Sequence, residues 1–462
     1  MHNRRKFLKA ASAGVASAAG VSLLPSWARA NFNFIPTVSL SFSAPTIIYD
    51  FNEVPDHKVF VGANNDRPYG TWADGPLNPY RRSSSDVMRA VVPHGQNRTM
   101  YLVHGSMAVP SLSPLSPMTM NSACNPDVGS MDMRHWLFSV FNVSSAQAFA
   151  IAHSENYTEL TSDAGIYWPA HTSTFKQFGS LSLFKTEPRT GDHDQFTYAF
   201  NPVPFMGTTT HSDNHMIVHP APPQYGRPSI LAHYGFMHPS NFIEDNGYVY
   251  VFAQHIPATQ NPTMTDPYGA PDTPTGKADP VLLRCATSLL GHTGNPNNRN
   301  GHYWEIFNSA GAWQFITRWE WADASVPAAP IQPYVFYRQN KPGNWMANMA
   351  IAQAVRKVGS KFVVLGVEYK GVLHFSYCTT LANPLELENH LRPFAQGHPF
   401  GNAFNLQSAA YMSFFDPTDA DLNYRNVAQN STQVVLAFRD TQLAFPKNFG
   451  RYMRYTVSFS GF

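Results

Sequence analysis

A cluster of chemically capable side chains stands at the end of one apolar segment of the chain. Phe149 and Ile151 alternate with alanines, which is the two-residue period of a strand covered on both faces. The segment then ends in five polar residues, which are His153, Ser154, Glu155, Asn156 and Tyr157. An imidazole, a carboxylate and a phenol at one edge of a sheet can transfer protons and bind hydroxyl groups. The alternative is that Glu155 pairs with an arginine and that His153 is a buried core histidine.

A second candidate site lies in the segment His-Ser-Asp-Asn-His-Met-Ile-Val-His-Pro. Its histidines, His211, His215 and His219, are spaced four residues apart. On a helix this spacing would place the three imidazoles on one face, where they could bind a metal ion. Pro220 and Pro222 and the Met-Ile-Val run favour a strand instead, which would divide the histidines between two faces. No cofactor is predicted, and a structural or catalytic metal ion stays open as an alternative.

The N-terminal residues resemble a twin-arginine export signal. Arg4 and Arg5 are followed by Phe-Leu, by a weakly apolar run from Ala10 to Leu24, and by the small-x-small site Ala28 to Ala30. The run is short and contains Ser and Gly, so no membrane span is expected in the mature chain. Residues 1–30 are therefore predicted to be a signal peptide read by the twin-arginine export machinery, and the mature protein is predicted to be periplasmic or secreted.

Composition excludes one class of function and favours another. The 462 residues are 43% hydrophobic, 14% aromatic and only 13% charged, with a formal net charge of +2. This balance gives no electrostatic footprint for nucleic acid. A weakly charged, aromatic-rich surface is typical of sugar binding, although Tyr and Phe are also common in strands. Three cysteines, Cys124, Cys285 and Cys378, allow one disulfide and lack the short spacings of a zinc site.

Turn residues divide the chain into short strands. The 37 prolines and 29 glycines are spread along its length, and convincing amphipathic helices are lacking. Residues Asn344 to Val355 could form a helical turn or the start of a strand. Strands are predicted at Thr99 to His104, Trp136 to Phe141, Ala148 to Ala152, Tyr248 to Gln254, Phe362 to Glu368 and Gln433 to Phe438. No composition break divides residues 46–462, which follow an N-terminal extension of residues 31–45. A single domain of this size fits a β-propeller better than one sandwich.

Several short motifs follow one another through the second half of the chain. They are Ser240-Asn241, the turn Asp245-Asn246-Gly247, the strand Tyr248-Val249-Tyr250, Leu282-Leu283-Arg284 and Trp304-x-x-Phe307. This order resembles five-bladed β-propellers of the arabinanase and fructosidase type. The resemblance implies a single-domain, all-β, five-bladed propeller. It also implies that Asp74-Gly75-Pro76 opens the first blade, that His153 to Tyr157 ends a strand of the second, and that Tyr411 to Pro417 and Arg451 to Phe459 mark the last.

The same resemblance implies a glycan in the central funnel and glycoside hydrolysis by carboxylate acid and base groups. Asp74 is expected to be the water-activating base and Glu155 the proton donor. The predicted substrate-binding residues are His153, Tyr157, His233, Asn241 and Arg284. Related enzymes usually have a third carboxylate, for which Asp192, Asp194 and Asp245 are the candidates. Asp245 is also a plain turn residue in its Asp-Asn-Gly sequence.

Two other functions are compatible with these residues. The 19 histidines, several of them beside tyrosines, also suit propeller-type polysaccharide lyases, which resemble this chain in architecture and abstract protons with His and Tyr. In such an enzyme Arg81, Arg82 or Arg284 would neutralise the carboxylate of a uronic acid. The third reading is a non-catalytic glycan-binding propeller that has lost the middle carboxylate. The products separate the three, because a hydrolase leaves a saturated sugar, a lyase an unsaturated one, and a binder neither.

Overall fold

The structure is a computed structural model. It describes residues 36–40, 46–50, 75–93, 100–104, 117–118, 134–157, 177–186, 188–189, 194, 196–199, 215–218, 234–256, 279–292, 294–295, 302–316, 333–337, 351–367, 373–393, 411–431, 434–440 and 451–462. The regular elements of these ranges are strands, apart from a 3-10 turn at Thr287–Leu289 and a single helical turn, α1, at Glu386–Asn389. No helix in these ranges has the length and apolar character needed to cross a membrane.

Two strands, β1 (Thr37–Leu40) and β2 (Thr46–Asp50), come before the first sheet. That sheet contains four antiparallel strands, each paired with the next in sequence. They are β3 (Asn78–Tyr80), β4 (Arg89–Pro93), β5 (Met100–His104) and β6 (Pro117–Met118). β5 confirms the strand that the sequence predicts at Thr99 to His104.

The second sheet has eleven strands, in two runs that are consecutive in sequence. The first run contains β7 (Arg134–Asn142), β8 (Ala148–Tyr157), β9 (Gln177–Thr186), β10 (Phe196–Tyr198) and β11 (His215–Val218). The second run contains β12 (Tyr234–Met237), β13 (Ile243–Asp245), β14 (Tyr248–Ile256), β15 (Asp279–Ala286), β16 (Glu305–Phe307) and β17 (Trp313–Phe315). A short parallel pairing of β12 with β9 joins the two runs. The three strands predicted in this region are confirmed.

The third sheet contains β18 (Ile351–Val358), β19 (Lys361–Val367), β20 (Leu373–Cys378) and β21 (Arg392–Pro393). Its edge strand β23 (Asn426–Val427) runs parallel to β18. The fourth sheet contains β22 (Ser413–Phe415), β24 (Val434–Asp440) and β25 (Arg451–Ser460). The predicted strands at Phe362 and Gln433 are confirmed. Of the segment Asn344 to Val355, the described residues 351–355 form the start of β18, as the strand alternative expects.

The sheets form a closed ring. β3 and β4 contact β7, β14 and β15 contact β18, β18 contacts β22, and β22 returns to β3. β25 pairs with β24 and also with β1 and β2, so strands from both ends of the described chain share one sheet. Antiparallel sheets arranged in a ring define a β-propeller. β1 lies within residues 31–45, which the sequence assigned to an extension outside the propeller, yet it is part of the last sheet.

The described strands form four sheets rather than five, so the predicted number of blades is not confirmed. The difference arises at the pairing of Tyr234 and Gly235 with Phe178 and Gly179, which merges two runs of strands into one sheet.

Buried apolar clusters fill the spaces between neighbouring runs of strands. One cluster joins the third and fourth sheets, and another joins β13 to β15 with β18 to β20. The two faces of β8 serve different clusters, because Phe149 and Ile151 pack towards β14 while Ala150 and Ala152 pack towards β7 and β4. This arrangement confirms that both faces of the segment before His153 are covered. Cys285 and Cys378 are buried free thiols whose pKa values are raised by burial; Cys124 lies outside the described residues.

Side chains on or just before four strands, β3, β7, β13 and β22, bind backbone groups of the next run around the ring. We call β3, β7, β13, β18 and β22, with the residues just before them, the wall strands. Asn241 is 1% exposed, and its amide both donates to the Val355 carbonyl and accepts the Val355 N–H, each at 2.8 Å. The wall strands are thereby held by buried hydrogen bonds that satisfy backbone groups on their free edges.

Three further bonds of this type continue around the ring. The Asn78 amide donates to the Phe138 carbonyl at 2.7 Å, and the Phe242 N–H donates to the Ser139 hydroxyl at 3.1 Å. The Ser413 hydroxyl donates to the carbonyl of Leu77, which closes the ring between the last sheet and the first. The wall strands thus surround the centre of the molecule.

Candidate functional site

One loop closes an end of the ring. We call residues 416–427, which follow β22, the closing loop. The backbone N–H of Arg81, just after β3, donates to the Leu422 carbonyl at 2.8 Å, and its guanidinium stacks 4.5 Å above the Tyr424 ring. At the end of β7, the Asn142 N–H donates to the Asn423 side-chain oxygen at 2.7 Å. The loop therefore binds the ends of two wall strands from other sheets.

The same loop also binds the remaining two wall strands. Arg425 forms an ion pair with Glu244 of β13. The backbone carbonyl of Arg425 accepts the N–H of Lys357, near the end of β18, at 2.8 Å. The closing loop thus follows β22 and contacts residues at or beside the ends of the other four wall strands.

Acidic residues hold the closing loop in shape. The Asp419 carboxylate accepts the Asn426 N–H at 2.7 Å. The Asp421 carboxylate accepts the Asn423 N–H at 2.8 Å and pairs with Arg425 at 2.6 Å. These carboxylates are used for internal hydrogen bonds, and the described residues contain no group of three His, Cys, Asp or Glu side chains arranged for a metal ion.

A buried cation faces the closing loop. Arg356 of β18 is 1% exposed, and burial lowers its pKa to about 10, while Asp419 and Asp421 oppose that change by attraction. Its Nη1 donates to the Val355 carbonyl at 3.0 Å. Removing an arginine from water is costly unless negative charge lies nearby. Asp419 and Asp421 of the loop therefore also stabilise the buried charge of Arg356 in the wall strand β18.

The opposite end of the ring carries a different set of side chains. The backbone N–H of His238 donates to Nδ1 of His153 at 3.2 Å, and Nδ1 of His238 lies 2.6 Å from Oε1 of Gln254. The two imidazoles are stacked, with centroids 5.0 Å apart and planes inclined by 5°. Phe138 lies 6.0 Å from each imidazole, and Tyr411 lies 5.9 Å from His238. We call these five residues the histidine cluster.

Strand register places the histidine cluster away from the closing loop. His153 pairs with Trp136 near the start of β7, whereas the loop binds Asn142 at the end of that strand. Tyr411 comes before β22, whereas Asp416, the first residue of the loop, comes after it. The cluster and the loop therefore lie at opposite ends of the ring of wall strands.

Two residues of the cluster have unusual backbone conformations. His238 has φ 44° and Tyr411 has φ 65°, both in the left-handed region that favours glycine. Pro239 restricts the conformation of His238 further, because the residue before a proline has less backbone freedom. Such residues cost about 1–3 kcal/mol each and persist where the surroundings hold them, often at functional sites.

Of the predicted catalytic pair, Glu155 has a described backbone position, which is at this same end. In the backbone register, Glu155 lies opposite Arg134, the first residue of β7. The side chain of Glu155 lies outside the described residues. Asp74 also lies outside it, but the next residue, Gly75, accepts a hydrogen bond from the Tyr452 hydroxyl. Ser413, the first residue of β22, and Arg454 of β25 are both register partners of Ala437, so they lie at the same level of the sheet. Tyr452 comes two residues before Arg454. Gly75 is thus held near the strand starts, at the end of the histidine cluster.

Other predicted residues have limited descriptions. His211, His219, His233 and Asp192 lie outside the described residues. Tyr157 is described as the last residue of β8 and His215 as the first of β11, without their side chains. β11 is a strand, as its proline-flanked sequence indicated.

Two predicted substrate-binding residues make internal contacts. Asn241 binds Val355 across the wall strands, as described above. Arg284 of β15 donates to Glu305 at 2.6 Å, and its guanidinium lies 4.3 Å from the Tyr248 ring and 4.1 Å from the Trp313 ring. β15 is separated from the wall strand β13 by β14. The structure brings His153 to the cluster, and it places Arg284 among the outer strands of its run.

The candidates for a third carboxylate also have internal partners. Asp194 is 1% exposed and pairs with Arg82 at 2.9 Å and Arg189 at 3.2 Å. The Tyr80 hydroxyl donates to it at 2.8 Å, and burial, with the negative charge of Asp194, raises the pKa of this tyrosine. Asp245 accepts the Leu381 N–H at 2.8 Å, so it joins the second and third sheets as well as starting a turn.

Sequence reasoning missed Phe138, His238 and Gln254 as cluster residues. The segment His233 to His238 precedes Ser240-Asn241, and its sequence suits either lining the funnel or packing it. Tyr411 was found only as the first residue of a motif for the last blade. The proximity of the cluster residues depends on contacts between strands that are distant in sequence, so no local spacing predicts it.

No protein-family model matches the sequence, and no curated protein does either. Solved structures match over most of the chain at low identity. The catalytic domain of a GH62 α-L-arabinofuranosidase from Coprinopsis cinerea has 10% identity and a TM-score of 0.40, covering 92% of this chain and 97% of its own. An N-acetylgalactosamine deacetylase from F. plautii has 10% identity and a TM-score of 0.43, covering 90% and 94%. A family 117 glycoside hydrolase from Zobellia galactanivorans has 8% identity and a TM-score of 0.40, covering 92% and 91%. Likenesses of this size leave the family open.

Proposed function

We propose that the protein is a carbohydrate-active enzyme, a glycoside hydrolase. It binds its sugar at the end of the ring of wall strands opposite the closing loop. The observation that carries the proposal is the histidine cluster, which gathers imidazole, amide and aromatic side chains from five separate segments at that end. Sugar sites combine such hydrogen-bonding groups with aromatic surfaces. Because the closing loop binds strand ends at the other end, we expect a ligand to enter from the side of the cluster.

We further propose that the ring has five blades. The two runs of the eleven-stranded sheet enclose a buried cluster between them, with Ile151 and Leu183 on one side and Val251 and Leu283 on the other. The other sheets pack against their neighbours in the same way. Counting each run as one blade gives five repeats, with β7 and β13 as wall strands of separate blades.

In this proposal Asp74 activates water and Glu155 protonates the leaving oxygen, while His153 and Tyr157 position the sugar. His233, Asn241 and Arg284 remain proposed binding residues. Carboxyl groups about 6.5–9.5 Å apart would give inversion, and about 5–5.5 Å would give retention.

The test is glycan digestion by the purified mature protein, with Asp74→Asn and Glu155→Gln variants. Each variant is expected to lose at least about a hundredfold in turnover with an unchanged melting temperature, because acid–base groups contribute that much to rate and little to stability. Glu386→Gln, a change in α1, is the control for loss of a carboxylate. Full activity of both variants would exclude this mechanism.

A lyase is the second candidate, and one observation favours it. The described cluster contains two histidines and a tyrosine, which are the groups used for proton abstraction beside a uronic acid. Product analysis in the same digestion decides, since only a lyase leaves an unsaturated sugar. Binding without any product would instead indicate a non-catalytic glycan-binding propeller.

Export through the twin-arginine route is also proposed, on the strength of Arg4, Arg5 and the residues after them. The expected location is the periplasm or the medium. Changing both arginines to lysine is expected to leave precursor in the cytoplasm, and normal export of that variant would count against the route.

A further inference from the structure

The phenol of Tyr411 reaches across the ring of wall strands. Around this ring the order of the strands is β3, β7, β13, β18 and β22, so β22 adjoins β18 and β3. Tyr411 comes two residues before β22. Its phenol nevertheless packs 5.8 Å from Phe138 of β7 and 5.9 Å from His238, which precedes β13. Neither β7 nor β13 adjoins β22, so the side chain spans the centre of the ring of strands.

The level next to Tyr411, on the side of the closing loop, is closed to water. The hydrogen bonds between wall strands lie at this level, and Ser413, which makes one of them, follows Tyr411 by two residues. Five residues of this level are each at most 3% exposed, and they are Asn78, Ser139, Asn241, Val355 and Ser413. They come from all five wall strands. Water therefore reaches Tyr411 from the end of the histidine cluster.

The five members of the histidine cluster differ in their exposure. Phe138 is 2% exposed, His153 3% and Gln254 7%, so these three are buried. Tyr411 and His238 are half-buried. A molecule that arrives from the cluster end therefore meets Tyr411 and His238, and the three buried residues support them from behind.

The backbone of the predicted proton donor lies beyond Tyr411 in the same direction. β8 runs away from the closing loop, because it starts at Ala148, opposite the loop-bound Asn142. Glu155 comes two residues after His153 along this strand, and so lies nearer to the open end than the cluster does. A sugar that rests on Tyr411 is thus on the side of the ring where Glu155 lies.

We infer that Tyr411 forms the base of a blind pocket and packs its phenol against the apolar C–H face of the bound sugar. The sugar contact rests on the proposed function, whereas the crossing of the ring rests on the structure alone. Sugars carry C–H groups on their ring faces, and an aromatic side chain removes these groups from water. Tyr411 thereby joins the predicted binding residues as a direct contact of the sugar.

The crossing can be tested without a ligand. A thermodynamic cycle combines Tyr411→Asn with His238→Asn, because asparagine tolerates the left-handed backbone of both positions. The double variant should be less destabilised than the two single losses predict, by about two- to tenfold in the folding equilibrium constant from urea denaturation. Additive losses would overturn the crossing. If Tyr411→Asn does not fold, Tyr411→Leu takes its place in the cycle.

Sugar binding is measured with methyl L-arabinofuranoside, methyl D-xyloside and methyl D-galactoside. For a sugar that binds the parent, Tyr411→Phe should keep the affinity within about twofold, and Tyr411→Asn should weaken it about three- to tenfold, which is the effect of one aromatic contact. In NMR titrations the C–H protons of the sugar should shift upfield with the parent and with Tyr411→Phe, because an aromatic ring shields protons above its face. That shift should vanish with Tyr411→Asn, which a purely structural role would not explain.

Tyr334→Asn is the matched control. Tyr334 is also half-buried, but it packs on Phe336 at 4.9 Å and on Phe307 at 5.6 Å, beside the outer strand β16. Its loss should leave sugar affinity and sugar shifts unchanged. Equal affinity of the parent and Tyr411→Asn, or lost binding with Tyr411→Phe, would overturn the phenol contact and leave the proposed function standing. If none of the three sugars binds the parent, the proposed function and the sugar contact both fail, and the cycle alone decides the crossing.

Discussion

The two ends of the ring of wall strands carry different kinds of side chain. At the closed end, carboxylates and arginines are paired with one another and with backbone groups, and the loop that carries them binds every wall strand. At the end of the histidine cluster, imidazole, amide and aromatic groups come from separate segments, and two residues have left-handed backbones. The first arrangement uses polar groups to hold sheets together. The second orients imidazole and amide groups without pairing them with opposite charges. Left-handed backbones occur at both ends, since Tyr424 of the closing loop has φ 49°.

The largest expected effect is on the wall that joins the two ends. Asn241→Leu removes both hydrogen bonds to Val355 and leaves its buried N–H unsatisfied, while the Val355 carbonyl keeps the bond from Arg356. We expect a loss of about 3 kcal/mol in the free energy of unfolding, measured by urea denaturation. Asn241→Asp keeps the acceptor for the Val355 N–H but places a buried carboxyl group against the Val355 and Phe242 carbonyls, so it should also lose stability, and less of it in acid, where the carboxyl group is protonated. Loss of sugar binding with unchanged stability would show instead that Asn241 belongs to the sugar site.

A smaller effect is expected at the closed end. Asp421→Asn weakens the pair with Arg425 and removes negative charge near the buried Arg356. The expected loss is about 1–2 kcal/mol in unfolding free energy, because hydrogen bonds to charged groups contribute about that much. The NMR signals of His153 and His238 at the other end should stay unchanged. If those signals shift as well, the two ends are coupled and the contrast between them is too sharp.

The smallest effect concerns pH. Asp86 lies in the turn after β3 and binds Arg89 at 2.8 Å. Burial opposes ionisation of its carboxyl group, but the hydrogen bonds and charge of Arg89, with backbone N–H groups, outweigh it and lower its pKa. Its contribution is therefore present above the unfolded pKa of about 3.9 and is lost as the pH falls through the lower folded value.

Asp86→Asn should consequently be less stable than the parent at pH 7, by less than about 1 kcal/mol, and the difference should vanish in strong acid. Urea midpoints across the acid range measure it.

Local sequence patterns predicted the strands well. The alternation of Phe149 and Ile151 with alanines gave both the strand and its two covered faces, because that pattern depends on immediate neighbours. The closing of the last sheet by Arg451 to Phe459 was expected from the ring, and the pairing with β24 supports it. The partner β1 was missed, since a strand of four residues within a predicted extension has no distinctive pattern.

The candidate site was predicted less completely. His153 was found because it follows a strong strand. His238 and Gln254 were not found as its partners, because they approach His153 only when β12 and β14 are folded beside β8. The roles of Asp245 and Asp194 likewise depend on their partners. Asp245 binds Leu381 and Asp194 binds Arg82, which are distant in the sequence. Asp194 also binds Arg189, to which no local sequence pattern links it. Contacts across sheets decide these roles, and a single sequence carries little information about such contacts.

The pairing of β1 with β25 has a consequence for biosynthesis. A ribosome makes β1 more than four hundred residues before its partner, as Thr37 pairs with Ser460. The first strand must therefore wait, unpaired on that side, until nearly all of the remaining strands have been translated. Each earlier sheet can form as its strands emerge, but the ring itself can close only after translation has passed β25, so closure is a late and single event in the maturation of the chain.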